Sequence, residues 1–382
     1  MTSHKQRISF SSLKTDCRFF RGDIPCKPHK QFGVHCFDEK GNVCSHYQQT
    51  KENILIIKLG AIGDVIRTTP LLHLFKKKFP NAKIWWLTLT PEVIPSFVDV
   101  VLKWNHASLI TLQQVPFSRI YNYDKDREAS ALASSLSAKK KFGFVLKNGV
   151  PSPANKFSEA KFLTGVFDDV NKANTKSYLE ELFEIAGEKF KGEKYILDNF
   201  ANDGYQWNLL YDSVGAKGKK IIGLNTGCGG RWTSRLWANE NWIALAKKLK
   251  KTGYVPLLLG GEQEHDKNLL LAKKSDALYL GHFPLKQFIN LVDKCNLVVT
   301  AVTMALHITL ALEKKIVLFN NIFNKHEFEL YGLGEILEPD FDCDCFFSPV
   351  CPNNCMQYLS VDTVYDSVLR LINFKTQKSN FQ

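Results

Sequence analysis

The apolar positions of this chain change rhythm along its length. Residues 1–50 show little periodic pattern. From Asn53 the sequence runs "NILIIKLG", a continuous apolar stretch of the kind expected for a strand covered on both faces. "VIRTTPLLHLFKKKF" follows with helical spacing, placing Val65, Ile66, Leu72, Phe75 and Phe79 near one side. Pro70 within it predicts a kink or the end of a first turn. "AKIWWLTL" is the next strand, and Arg119–Val145 reads as strand, helix and strand. Between Pro151 and Gly218 the signal weakens and is mostly helical. From Lys219 alternation returns: strands "KIIGLNTG", "VPLLLGG", "ALYLGHF", "NLVVTA" and "KIVLFNN". Helical patterns over Trp242–Lys251, His265–Lys274, Leu285–Cys295 and Ala305–Glu313 separate them, and a last helix covers Ser360–Phe374.

Such alternation predicts an α/β chain with parallel sheets and helices on both sheet faces. Two stretches joined by a weaker middle predict two facing Rossmann-like domains, with ligands at the carboxyl ends of the strands. The expected division is a Cys-rich extension over 1–50, domains over 51–216 and 217–360, and a terminal helix and tail over 361–382.

Charge narrows the partners. Lys plus Arg number 50 against 38 Asp plus Glu, a formal net charge of +12. This favours phosphorylated substrates, nucleic acid or an anionic membrane face. Lys76–Lys78 and Lys139–Lys141 lack the interleaved aromatics of single-strand binders and read as solvated faces, so nucleic acid is set aside. "MTSHKQRISFSS" has no apolar core of signal-peptide type, and no stretch approaches the roughly 20 apolar residues needed to span a bilayer. The expectation is a cytoplasmic protein, with peripheral contact at the inner face of the membrane. In that compartment the ten cysteines point to metal ligands or buried thiols rather than disulfides.

Several motifs carry candidate chemistry. In "KLGAIGD", Gly60 and Gly63 allow tight turns, and Asp64 opens a helix. It reads either as a cap or as a general base at a strand's carboxyl end, where it would repel phosphate but accept a hydroxyl proton. "LNTGCGGRWTSRLWANENW" ends a strand in a loop with Thr226, Gly227 and Gly229, then Arg231 and Arg235, which suits a diphosphate. "LLLGGEQEHDKN" offers Glu264 for ribose hydroxyls. "VVTAVTMALHITLAL" puts Thr303 at a strand end and His307 inside a helix, the latter as a packing or a functional group. Cys343, Cys345, Cys351 and Cys355 form C-x-C-x5-C-x3-C, four thiols suited to one structural zinc or iron ion. Cys17, Cys26, Cys36 and Cys44 are more loosely spaced and form a candidate second site.

Taken in order, these blocks resemble glycosyltransferase family 9, the ADP-heptose:lipopolysaccharide heptosyltransferases, over Asn53 to Ser360. "LGAIGDVIRTTPLL" matches its G-x-x-G-D turn and T-x-P-L-L helix. "NTGCGGRWTSRLWANENW", "GGEQE" and the "MALH" stretch match the later blocks. The resemblance implies a GT-B fold, with 51–216 as acceptor domain and 217–360 as nucleotide-sugar domain. It implies inverting transfer from ADP-heptose to a lipopolysaccharide core or related glycan, needing no catalytic cofactor. Asp64 becomes the base, Gly60 and Gly63 the acceptor-side loop, and Thr226, Gly227, Gly229, Arg231, Arg235, Glu264, Thr303 and His307 donor contacts. Where the family reads T-x-D-S/T-G-x-x-H, this chain has Val302 in place of the acid and Met304 in place of the glycine, which leaves the donor open. Alternatives are a protein O-heptosyltransferase, a transferase of another nucleotide sugar, or a non-catalytic GT-B binding protein.

Overall fold

The computed structural model describes residues 9–198, 207, 212 and 215–373. The start of the predicted extension, part of the predicted middle and the end of the predicted tail lie outside these residues. The chain forms two compact units. One contains residues 1–59, 71–91 and 96–158; the other contains 60–70, 92–95 and 159–382.

The first unit is built on a six-stranded sheet. Its strands are β1 (Glu52–Ile57), β2 (Ala82–Thr88), β3 (Val100–Lys103), β4 (Phe117–Asn122), β5 (Ala138–Lys147) and β6 (Val150–Pro153). Their order is β3-β2-β1-β4-β5-β6, parallel except for the β5–β6 hairpin. Ile54, Leu55, Ile56 and Ile57 of the central strand are fully buried, as its unbroken apolar run requires. The buried pair Lys58–Asp124 stands just past this strand, and Asp124 also accepts from the Leu59 backbone N–H at 2.5 Å. The predicted helix across Pro70 is two helices, Ile62–Ile66 and Leu71–Lys78. Proline lacks the N–H that a continuous helix would need there.

The second unit holds a five-stranded parallel sheet: β7 (Ile221–Asn225), β8 (Val255–Leu259), β9 (Leu297–Ala301), β10 (Lys315–Phe319) and β11 (Gly334–Leu337), in the order β11-β10-β9-β7-β8. The order reverses between β7 and β9, a switch point of the type where α/β sheets bind ligands. The predicted strand "ALYLGHF" is not one. Leu278 makes a single bridge to Leu257, and Gly281, with φ of +102°, followed by Pro284, prevents a ladder. The helix Val361–Asn373 is not a separate tail. Val364, Tyr365, Val368 and Ile372 are buried in the same core as Leu224, Trp237, Trp242 and Phe319.

The units divide at Ser158–Glu159, not near residue 216. The helix Tyr178–Ile185 carries Leu179, Leu182, Phe183 and Ile185 as buried residues. Asn324 ties the preceding segment to β10's far end by donating to the carbonyls of Asn171 and Asn174, each at 2.6 Å. The Gly60–Pro70 turn is also part of the second unit. The Cys-rich arm belongs to the first, where Arg18 forms a two-point ion pair with Asp99.

Candidate active site

Loops leaving the carboxyl ends of β7, β8, β9 and β10, together with the Ala61–Arg67 segment, surround a cavity of about 900 Å³ within the second unit. Sequence determines the loop after β7 through glycine. Gly229 adopts φ of +73°, a conformation few other residues tolerate. A Cβ on Gly227 would lie 2.2 Å from the Glu264 carboxylate, so glycine lets that side chain pass. Glu264 in turn accepts the Gly261 backbone N–H at 2.9 Å.

Asn225 knits the switch point together. Its amide donates to the Gly227 carbonyl at 3.1 Å, to Thr300 Oγ1 at 3.0 Å and to Thr303 Oγ1 at 3.3 Å. Thr303 caps the helix Met304–Ala311, accepting the Ala305 N–H at 3.2 Å, and lines the cavity. Arg235 is 8% exposed and lines the cavity. Its guanidinium donates to the Val302 carbonyl, and to the Cys228 carbonyl at 3.0 Å. Its Nε finds no acceptor among the described residues. Burial pulls its pKa down, with Cys228 opposing.

Two expected donor contacts sit elsewhere. Arg231 is exposed over the Trp232 ring and is not part of the cavity lining. The Thr226 hydroxyl donates to Asn268 at 2.6 Å, and the residue is 2% exposed. Beside it, Lys267 donates to the Thr226 carbonyl at 2.8 Å; burial lowers its pKa against the pull of Glu264.

On the opposite wall Asp64 occupies the first turn of its short helix. It accepts the Ala61 N–H at 3.3 Å and pairs with Arg67 at 2.7 Å. Ala61, not Asp64, is the N-cap; Asp64 is the N3 residue that reaches back to it, and its side chain is still 32% exposed and lines the cavity. Arg67 also pairs with Glu327 at 2.9 Å and stacks 3.4 Å from the centre of the Tyr178 ring. Gly63 lines the cavity while Gly60 does not. A Cβ on Gly63 would meet the His307 ring at 2.5 Å. His307 is buried, its Nδ1 lies 3.4 Å from the Tyr195 hydroxyl, and burial with Arg67 nearby lowers its pKa to about 3. It is therefore a neutral ring wedged against the glycine turn, as well as part of the lining.

Sequence reading missed Arg67, Glu327 and Lys267. Arg67 had a local signal, since it lies three residues after Asp64 on a helix. Glu327 had none, because only folding brings it there.

The sulfurs of Cys343, Cys345, Cys351 and Cys355 lie within 4.8 Å of one another and could hold a metal ion. Cys343 and Cys351 sulfurs are 3.5 Å apart, and those of Cys345 and Cys355 3.6 Å. Asn321 donates to Cys355 Sγ at 3.3 Å, and the Cys355 N–H to Cys351 Sγ at 3.5 Å. This loop braces the segment that carries Arg235. Ser234 donates from its N–H to the Pro349 carbonyl at 3.0 Å and from its hydroxyl to the Ser348 carbonyl at 2.7 Å. Phe347 reaches the cavity lining.

The two parallel sheets have the arrangement of a GT-B fold. The sequence model of glycosyltransferase family 9 (heptosyltransferase) matches residues 111–327, more than half of the 382-residue chain. The chain belongs to that family and is a glycosyltransferase. It is similar to the family 9 glycosyl transferase of Veillonella parvula DSM 2008, with 16% identity and a TM-score of 0.62, covering 85% of this chain and 98% of the other. The E. coli ADP-heptose lps heptosyltransferase II aligns at 14% identity and a TM-score of 0.60, covering 84% and 98%. The iron-containing dodecameric glycosyltransferase TibC of enterotoxigenic E. coli H10407 aligns at 12% identity and a TM-score of 0.52, covering 84% and 76%. No curated protein sequence matches the chain. No helix among the described residues is long and apolar enough to cross a membrane.

Proposed function

We propose that this glycosyltransferase moves a heptose from ADP-heptose, with inversion, to a hydroxyl of a lipopolysaccharide core or related glycan. One observation carries the reading: Asp64 shares a single cavity with Arg235, Glu264 and the Thr303 helix start. As the acceptor oxygen attacks, Asp64 takes its proton, a role its partial exposure permits. The anomeric carbon gains positive character while the diphosphate leaves, and Arg235 with the N–H groups beyond Thr303 stabilises that negative charge. Arg235 lines the cavity, so its guanidinium charge acts on the phosphates at short range. Glu264 accepts ribose hydroxyls, and Phe283, Leu285 and Phe288 give the base an apolar wall. The E. coli heptosyltransferase WaaC, solved with ADP, supports an adenine nucleotide.

A second donor remains in view for a specific reason. Val302 and Met304 line the cavity where the family pattern has an acid and a glycine. The C-terminal thiols hold one zinc or iron ion in this reading. Four cysteines leave no open position, so its role is to brace the Trp232–Arg235 segment.

The test is a thermal-shift screen with ADP, UDP and GDP sugars, followed by a transfer assay with the stabilising donor. Stabilisation by ADP-heptose and a glycosylated glycan product are expected. Stabilisation by a UDP or GDP sugar alone would overturn the donor assignment. Transfer to a polypeptide instead of a glycan would overturn the acceptor.

A further inference from the structure

The Cys-rich arm has almost no buried apolar core. Among its described residues Pro28 alone is buried, while Ile24, Phe32 and Val43 are 52%, 55% and 43% exposed. Phe19, Phe20, Val34 and Tyr47 line its small cavity but are only half-buried. Four cysteines face inward: Cys17, Cys26, Cys36 and Cys44 all line one cavity of about 30 Å³, and none is exposed.

These thiols come from separate turns. Cys17 sits at the bridge to Gln49, and Cys26 precedes the helix Lys27–Phe32. Cys36 and Cys44 flank a small hairpin closed by the Phe37–Val43 bridge, with the Cys44 N–H donating to the Cys36 carbonyl at 2.9 Å. The His46 N–H points at Cys44 Sγ, 3.4 Å away. The Cys355 N–H approaches Cys351 Sγ at 3.5 Å in the same way.

We infer that the arm is a second, independent metal site, in which these four cysteines hold one tetrahedral thiophilic cation, zinc or iron(II). A segment this short cannot bury enough surface to hold its own path, and an ion supplies what the missing core does not. The cavity has room for about one ion. Four cysteine sulfurs complete a tetrahedron and leave no place for water, so the role is structural. His35 and His46 line the same cavity, but His46 is stacked on Phe32 with ring centres 4.9 Å apart. Among the described residues only the C-terminal sulfurs already lie within 4.8 Å of one another. In the arm, binding draws the four sulfurs together and releases their protons as the metal–sulfur bonds form.

The experiment measures zinc and iron per chain in full-length protein purified under reducing conditions. Three forms are compared: wild type, Cys36→Ser/Cys44→Ser, and Cys351→Ser/Cys355→Ser. The arm's ion should persist in the C-terminal variant and vanish in the arm variant. A C-terminal variant with no stoichiometric metal would overturn the inference. Wild type alone gives a second readout that does not depend on any variant folding. Alkylation of Cys17, Cys26, Cys36 and Cys44 should be slow in the metal-loaded protein and fast after chelation. Equal rates with and without chelator, or peptide mapping that finds these residues in disulfides, would also overturn it.

Discussion

The turn after β1 and the loop after β7 solve one steric problem and carry opposite charges. In each, a glycine yields space to a side chain from a distant segment: Gly63 to His307, Gly227 to Glu264. In each, an ionic side chain then lines the same cavity, Asp64 in one and Arg235 in the other. Asp64 keeps a part-exposed carboxylate paired with Arg67. Arg235 is buried and spends two donors on backbone carbonyls. In the proposed mechanism the difference suits a proton acceptor and a fixed cation on one cavity. Glycine marks both turns in sequence, but the charge separates their roles.

The comparison breaks most sharply at Asp64. Asp64→Asn should lower kcat by about 10²–10⁴-fold and leave ADP affinity close to wild type in calorimetry. Wild-type turnover in the folded variant would assign the base elsewhere. Next comes Arg235→Ala, expected to cost about 1.5–3 kcal/mol and so weaken ADP binding by roughly one to two decades. Arg231→Ala, at an exposed position, should cost under about 1 kcal/mol. Equal losses in the two variants would show that Arg231 closes onto the donor. Gly63→Ala should destabilise by about 1–3 kcal/mol, read as a drop in Tm, because the His307 ring is buried and cannot yield. Gly227→Ala should spare Tm more, since Glu264 can swing aside, and should instead raise the Kd for ADP.

Cys351→Ser/Cys355→Ser should weaken ADP binding before it lowers turnover at saturating donor. The Ser234 contacts with Ser348 and Pro349 link that loop to Arg235. The effect of His307 is read through pH instead of through a ligand. Its folded pKa of about 3 lies below the ordinary 6.5, so between these values the unfolded chain binds the extra proton. Stability from this group is complete above pH 6.5 and falls by up to about 1.4 kcal/mol per pH unit as the solution is acidified. Urea titrations from pH 7 to 5 should show that slope, and His307→Gln should reduce it.

Much of the architecture was legible because it follows local periodicity. The runs at β1, β7, β9 and β10 are apolar on both faces, and such runs have few alternatives to a buried parallel strand. Errors came where pairing partners decide. "ALYLGHF" has strand composition but makes one bridge, while the four-residue β11 is a strand because β10 lies beside it. The compact units also divide the chain at a place that pairing, not periodicity, decides. Residues 159–198 have weak periodicity, and their contacts with the Asn324 region assign them to the second unit.

For the site, sequence alone determined the chemical inventory: a glycine turn with an aspartate, a glycine loop with arginines, and four closely spaced thiols. Those are covalent facts, and their spacing limits what they can do. Tertiary structure decided which of them meet. It placed Asp64 and Arg235 around one cavity, left Arg231 outside the lining, committed Thr226 to Asn268, and brought Glu327 to Arg67 across 260 residues of chain. Such pairings depend on how separate elements pack, and no local pattern encodes the distance between residues that only the folded chain brings together.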